Sequence, residues 1–394
     1  MKPRLHLSSS LSVKSSSFSL FEDDDLDFSG DACIDINLSE FSAILLNNEK
    51  KAIKTNRGSN GGVRHFKHKK YGDVIIKSSE GDTEVLVYQA IGQDHPGIMK
   101  WYALGYDGKL STVYGKGYSD GALNHVMPAL QKKLNLTGHS TKKAITLKTV
   151  HGYLSQLLRG LQRLHVNNIL HHDIKAANIL IEGKTAVLCD FNCALFVDEN
   201  IHDKIGLNTT AAIKSPELFM RKSPLSPEDC KAPDIWALGL VFAKLFQMDD
   251  VLSLCFHQET KASFLGDAAH YQLAKAYVFR EDKEINRFLD SAETAFIKLD
   301  SLSPESAKHF PVDKAMKLVV KTMFLPVVVS KNNKENMSSR PSAEKLVELC
   351  GKIKRLYFPD KAKVLTQGSF SFYSKDSKNT KFPKVRSVLR PSFG

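Results

Sequence analysis

No apolar run in this chain approaches the roughly 20 residues that a membrane-spanning helix needs. Runs such as Leu318-Val319-Val320 and Phe324 to Val329 suit a core helix or strand. The six cysteines are scattered and none forms a CxxC pair, which does not suit a closed zinc site and favours free thiols over disulfides. They read as free thiols in a reducing compartment. The first 20 residues hold eight serines, no acid and no continuous apolar stretch, so they are not a secretory signal peptide. There is no internal repeat, which excludes a solenoid. Acids are the scarcer charge: 43 Asp and Glu stand against 55 Lys and Arg, a formal net charge of +12. No nucleic-acid-binding motif accompanies that excess, so nucleic acid is not expected as a partner.

What is present is an ordinary globular composition, 42% hydrophobic over 394 residues, enough for one two-lobed unit with tails. Residues 1–49 form a Ser-rich and then acidic segment, with five acids between Glu22 and Asp27. Such composition predicts at least partial disorder; an export signal is the alternative reading. Residues 50–118 predict a small sheet with one helix. Ala52 to Thr55, Val63 to His68 and Asp73 to Lys77 have strand character, as do Trp101 to Tyr106 and Leu110 to Gly115. Thr83 can cap a helix over Glu84 to Ile91. Residues 119–356 turn helical: Leu147, Val150, Leu154, Leu157, Leu158, Leu161 and Leu164 keep a 3–4 spacing. Pro233 to Met248, 261–280, 283–299, 312–324 and 342–356 are further helices. Residues 357–394 predict a flexible basic tail, able to touch an acidic protein or an anionic surface.

The chemistry is concentrated in His171-His172-Asp173-Ile174-Lys175-Ala176-Ala177-Asn178 and, after a strand pair, Asp190-Phe191-Asn192. A carboxylate, a nearby cation and two hard oxygen donors are what phosphoryl transfer requires. The run resembles the catalytic loop and metal-binding turn of the eukaryotic-like Ser/Thr protein kinases. That resemblance extends over nearly three quarters of the chain. Val74-Ile75-Ile76-Lys77 resembles the third-strand lysine segment. Ser215-Pro216-Glu217 and Arg340 resemble the family's buried ion pair, and Asp234 in Asp-Ile-Trp-Ala-Leu-Gly resembles the anchor of the catalytic loop.

The resemblance implies an α+β, two-lobed protein-kinase-like fold, with a small antiparallel-sheet N-lobe carrying one main helix and a larger, mostly helical C-lobe. It implies ATP and Mg²⁺, with Mn²⁺ as an alternative, and protein substrates phosphorylated on Ser or Thr. Asp173 is the implied base or orienter of the substrate hydroxyl, Lys175 the charge on the γ-phosphate, and Thr210 the bridge that accompanies Ser/Thr specificity. Asn178 and Asp190 are the implied metal ligands, and Lys77 the grip on the α- and β-phosphates. Glu84 is its implied partner, with Glu80 as rival. Gly58, Gly61, Gly62 and Val63 stand where a glycine-rich loop belongs, but they do not match its pattern, and a plain hairpin tip is the other reading. The base would lie near Gly115 to Tyr118.

Two positions depart from the family. His172 replaces an arginine that pairs with a phosphorylated loop, a pairing that only a protonated imidazole could imitate. Asn192 replaces the glycine of the metal turn; Asn tolerates left-handed backbone. A pseudokinase scaffold and an aminoglycoside-type phosphotransferase are the rival readings. The protein is expected in the cytoplasm, with delivery by a bacterium into a host cytosol as the alternative.

Overall fold

A computed structural model describes residues 55–58, 61–68, 71–106, 110–137, 140–198, 201–205, 213–219, 225–252, 274–278, 280–327 and 339–359. The expectations for the Ser-rich start, the basic tail, most of 261–280 and Thr210 fall outside them.

Strands β1 (Thr55–Gly58), β2 (Gly61–His68) and β3 (Gly72–Glu80) form a meander, and β4 (Trp101–Tyr106) and β5 (Leu110–Lys116) complete the sheet. All pairings are antiparallel, in the order β1-β2-β3-β5-β4. Helix α1 (Thr83–Ile91) lies between β3 and β4 in sequence and buries Val87, Tyr88 and Ile91. Thr83 is its first helical residue rather than its cap; Asp82 takes the cap position without a side-chain bond.

The larger body begins with β6 (Gly121–Ala122) and α2 (Leu123–Leu134), followed by the long α3 (Thr141–Val166). Periodicity did not announce α2, which carries Pro128 inside it. In α3 the seven periodic apolar residues are all buried, so the stripe read from sequence is the core face. Short strands β7 (Ile169–Leu170), β8 (Ile179–Glu182), β9 (Thr185–Leu188) and β10 (Leu195–Phe196) follow, pairing as β10-β7 and β6-β8-β9. Then come α4 (Ile201–Lys204), α5 (Pro216–Phe219), α6 (Ala232–Leu245), α7 (Asp249–Leu252), α8 (Lys283–Ser301), α9 (Pro304–Lys308), α10 (Val312–Thr322) and α11 (Ala343–Tyr357). This is the small-sheet-plus-helical-body architecture the sequence predicts.

Two features hold the parts together. The loop after α1 meets α3 backbone to backbone. Gly97 has φ +83°, and a Cβ there would sit 1.8 Å from the Gln156 carbonyl oxygen; one on Gly160 would lie 2.4 Å from the Gly97 oxygen. The same loop pairs with β9, Leu188 N–H donating to Gly97 O at 2.8 Å and Met99 N–H to Leu188 O at 2.9 Å. Deeper in the body, the Arg340 guanidinium grips Glu217 at 2.5 and 3.2 Å with both side chains buried. It also donates to the Leu325 and Ala232 carbonyls and lies 5.1 Å from the Trp236 ring centre. Its donors are therefore largely satisfied, which a buried cation demands. The four cysteines in the described residues are free thiols; burial pushes Cys230 up to about 11 and Cys350 up to about 12.

Gly97→Ala is expected to cost about 2–5 kcal/mol of stability, from left-handed strain plus overpacking. Arg340→Met, which strands the Glu217 carboxylate, should cost about 3–5 kcal/mol. Urea unfolding followed by tryptophan fluorescence measures both, and a loss below about 1 kcal/mol in either would contradict the corresponding contact.

Candidate active site

Helix α6 enters the core with Asp234 in its first turn, and this buried carboxylate organises the loop above it. It accepts the backbone N–H groups of His171 and His172, each at 2.8 Å, and lies 3.1 Å from His165 Nε2. Burial pushes its pKa up, but the His165 hydrogen bond and the neighbouring imidazoles outweigh that and leave it below the ordinary carboxylate value. With two successive N–H groups pulled onto one side chain, the chain turns sharply; His172 takes φ 63°.

The turn delivers Asp173. Asn178 Nδ2 donates to the Asp173 carbonyl at 2.9 Å and to its Oδ2 at 3.0 Å, and Lys175 Nζ reaches the same carboxylate at 2.8 Å. A 3₁₀ turn over Ala176–Asn178 makes this possible, with Asn178 N–H donating to Lys175 O at 2.9 Å. Cys189 N–H then donates to Asn178 O at 3.0 Å, so the loop and the end of β9 are stitched side by side.

Across from them stands Lys77, opposite Val63 on β2 and Val113 on β5. Its ammonium lies 2.9 and 2.8 Å from the two Glu84 oxygens and 2.7 Å from Asp190 Oδ1. Burial pulls the Lys77 pKa down, but the two carboxylates more than offset it and the net shift is upward. Burial likewise pushes Asp190 up, and Lys77 brings it below its ordinary value. Lys77 and Asp190 are therefore both charged near neutrality. Glu84 also accepts from Ser79 Oγ and from Phe191 N–H, each at 3.3 Å. Of the two candidate acids it is Glu84 that Lys77 touches, while Glu80 ends β3 exposed. Phe191 sits between Tyr88 and His171, with ring centres 5.0 and 5.1 Å away, so apolar packing runs from α1 through the metal turn to the loop.

The glycines lie differently from an open loop. Gly58 pairs with Gly61 as the last rung of the β1–β2 hairpin, and Gly62 and Val63 continue β2. Asn192 is not among the residues with positive φ; the left-handed residue of the metal turn is Asp190 itself, at φ 67°. His172 also departs from expectation. Burial draws its pKa down despite Asp234 and a hydrogen bond to the Cys193 backbone, so it is neutral and enclosed rather than a surface cation.

Several neighbours were not legible as site residues. At the end of β5, Lys116 forms an ion pair with Glu182 on β8. Asp120 Oδ2 accepts from Gly183 N–H at 2.7 Å, and Gly117 N–H donates to Asp73 O at 2.7 Å. The first two bonds fasten the segment around Gly115 to Asp120 to the β8–β9 turn, and the third fastens it to the start of β3. No signal in the one-dimensional sequence pairs Lys116 with Glu182, sixty-six positions away.

The donor set fits a divalent cation carried on a polyphosphate. The Asn178 amide nitrogen is committed to Asp173, which turns its carbonyl oxygen into the spare group, and Asp190 engages Lys77 through one oxygen only. Among the described residues no three His, Cys, Asp or Glu side chains are arranged to hold a metal by themselves. Two hard oxygens with the rest supplied by phosphate and water would suit a nucleotide-bound divalent cation.

Sequence comparison agrees with this geometry. Residues 51–349 match the family described as Protein kinase domain, which is well over half of the chain. The chain belongs to the protein kinase family, whose members use ATP and a divalent metal. Among its relatives, a putative serine/threonine-protein kinase L670 of Acanthamoeba polyphaga mimivirus is 27% identical over 52% of this chain and 36% of its own length. Mitogen-activated protein kinase kinase 7 of Arabidopsis thaliana is 29% identical over 48% of this chain and 61% of its own. Cyclin-dependent kinase C-3 of Oryza sativa subsp. japonica is 37% identical over 34% and 40%. The chain thus spans less than two thirds of these curated relatives.

The His172 environment predicts a pH response. A folded pKa below that of the unfolded chain means the unfolded state binds the proton first, so stability falls as pH drops below about 6.5. His172→Gln should flatten part of the decline in melting temperature between pH 7 and 5; an unchanged slope would contradict a buried neutral imidazole.

Proposed function

We propose that this chain is an active protein kinase that transfers the γ-phosphate of ATP to Ser or Thr hydroxyls of protein substrates, its own included. The observation that carries the reading is Lys77, held at 2.7 and 2.8 Å by Asp190 and Glu84. A lysine fixed and charged between two carboxylates is poised for phosphate oxygens, and preorganised charge is the main source of catalysis in this reaction. Asp173 would accept the hydroxyl proton as that oxygen bonds to the γ-phosphorus. The bond from the phosphorus to the β–γ bridging oxygen breaks, and ADP leaves. Lys175 would move from Asp173 to the γ-phosphate. Asn178 and Asp190 would hold Mg²⁺, or Mn²⁺, which offsets phosphate charge when bound. Gly58, Gly61, Gly62 and Val63 would cover the phosphates from β1 and β2.

Lys175 and Thr210 favour Ser/Thr over Tyr, in keeping with the name of the mimivirus relative. The rival scaffold reading drew on the short link of seven residues between Lys77 and Glu84, yet that link closes into a direct ion pair. The catalytic unit would comprise an N-lobe over 50–118 and a C-lobe over 119–356.

Radiolabelled phosphate transfer to a generic Ser/Thr substrate tests this. Asp173→Ala should lower kcat by about 10²–10⁴-fold while ATP affinity changes little. Equal transfer by the variant would overturn the assignment. Nucleotide binding without any turnover by the unaltered protein would restore the scaffold reading.

A further inference from the structure

The chain has a strongly one-signed stretch that the phosphoryl-transfer site does not use. From Gly121 to His172 there is no Asp or Glu, although acids make up 43 of the 394 residues. The run covers β6, α2, α3 and β7. Its cations gather where α2 leads into α3: Lys132 and Lys133 in the last turn of α2, Lys142 and Lys143 in the first turn of α3, and Lys148 beyond. Lys132, Lys133, Lys142 and Lys148 are exposed, and among the described residues none of the four has an ion-pair partner. Lys143 reaches Asp313 at 3.8 Å, the one acid of α10 that approaches this corner. The same end of α2 meets the end of α6, Gln131 donating to Lys244 O and Asn135 to Gln247; of the two acids that follow there, Asp250 is held by Lys321 and Asp249 is exposed.

Lys132 and Lys133 complement the dipole of α2, but Lys142 and Lys143 do not serve the helix that bears them. Cations in a first turn oppose the helix dipole, α3 has no acid there, and Ser140 makes no capping bond. Lys142, Ile145 and Lys148 follow one another at three-residue spacing, so they share one face. Ile145 is 60% exposed, and Leu136, just past α2, is 36% exposed. The corner thus presents aliphatic side chains framed by lysines.

We infer that this α2–α3 corner docks an acidic protein segment in which Asp or Glu flank one or two aliphatic residues. Charge complementarity selects the acids, and Ile145 with Leu136 gives an apolar seat that pure charge attraction would not need. Nucleic acid is the poorer fit, because no Phe, Tyr or Trp occurs from Lys132 to Lys148 on which a base could stack. A membrane is poorer too, since the corner has no aromatic residue to anchor at an interface. The corner lies roughly 30 Å along α3 from the loop that carries Asp173, counted at 1.5 Å per residue. Docking there would tether a partner without entering the phosphoryl-transfer site, and its binding can be measured whether or not the chain is catalytically active.

Fluorescence anisotropy on the full chain provides the test, with a labelled peptide of four Asp-Glu-Leu repeats as probe. The peptide should bind, and more weakly as salt is raised. The combined variant Lys132→Gln, Lys133→Gln, Lys142→Gln and Lys148→Gln should weaken binding by about tenfold. Ile145→Ser should weaken it by about threefold, and Lys283→Gln with Lys308→Gln on other helices should leave it within about twofold. Circular dichroism checks that each variant is folded. The inference is overturned if the peptide does not bind, if the four-lysine variant binds as well as the parent, or if the control pair weakens binding equally. Indifference to Ile145→Ser would reduce the corner to unspecific charge and overturn it too. Tighter, lysine-dependent binding of phosphatidylserine vesicles or single-stranded DNA would replace the acidic protein with a lipid or nucleic-acid partner.

Discussion

One ammonium group between two carboxylates ties this molecule together. Lys77 comes from the third strand of the sheet, Glu84 from α1, and Asp190 from the turn after β9, so the contact exists only when all three elements are docked. Each charge alone in that enclosed space would carry a desolvation cost of several kcal/mol. Together they satisfy one another, and Ser79 and the Phe191 N–H supply further bonds to Glu84. The cluster is therefore a conditional interaction, favourable in the assembled arrangement and costly in any partial one. With Asp173 and Lys175 added, the carboxylates still outnumber the lysines, which leaves a site with net negative charge suited to a divalent cation.

A second buried carboxylate makes that arrangement possible from below. Asp234 spends its oxygens on the backbone of His171 and His172 and on the His165 ring. It serves geometry: the sharp turn it enforces sends Asp173 and Asn178 upward and buries His172. Glu217 and Arg340 do comparable work further from the chemistry, closing the helical body around Trp236. Asp234, Glu217 and Arg340 thus act chiefly as positioning devices, their burial offset by the hydrogen bonds they make.

The departures from the family pattern have physical resolutions. Left-handed backbone in the Asp190–Asn192 turn falls on Asp190, so the residue at 192 is not required to be glycine. A buried, neutral His172 cannot receive a phosphorylated loop as an arginine would, and the Gly97–Gly160 contact is a rigid substitute for side-chain packing between the loop after α1 and α3. The glycine segment at the sheet edge is a tight hairpin whose last rung joins Gly58 to Gly61.

Much of this was legible in one dimension. The order and spacing of Lys77, Asp173, Asn178, Asp190, Glu217, Asp234 and Arg340, and the apolar stripe of α3, are local or strictly ordered features, and a linear string displays them. Helix α2 was not, because a proline and a short amphipathic stretch weaken its period. Which acid pairs with Lys77, where the left-handed residue falls, that Lys116 meets Glu182, and that the lysines of α2 and α3 share a corner depended on the folded chain. The physical reason is range: propensity and pattern act over a few residues, whereas ion pairing, burial and close backbone approach depend on distances in space between residues far apart in sequence. The sequence by itself determined which chemical groups are available; the tertiary structure decided which of them meet.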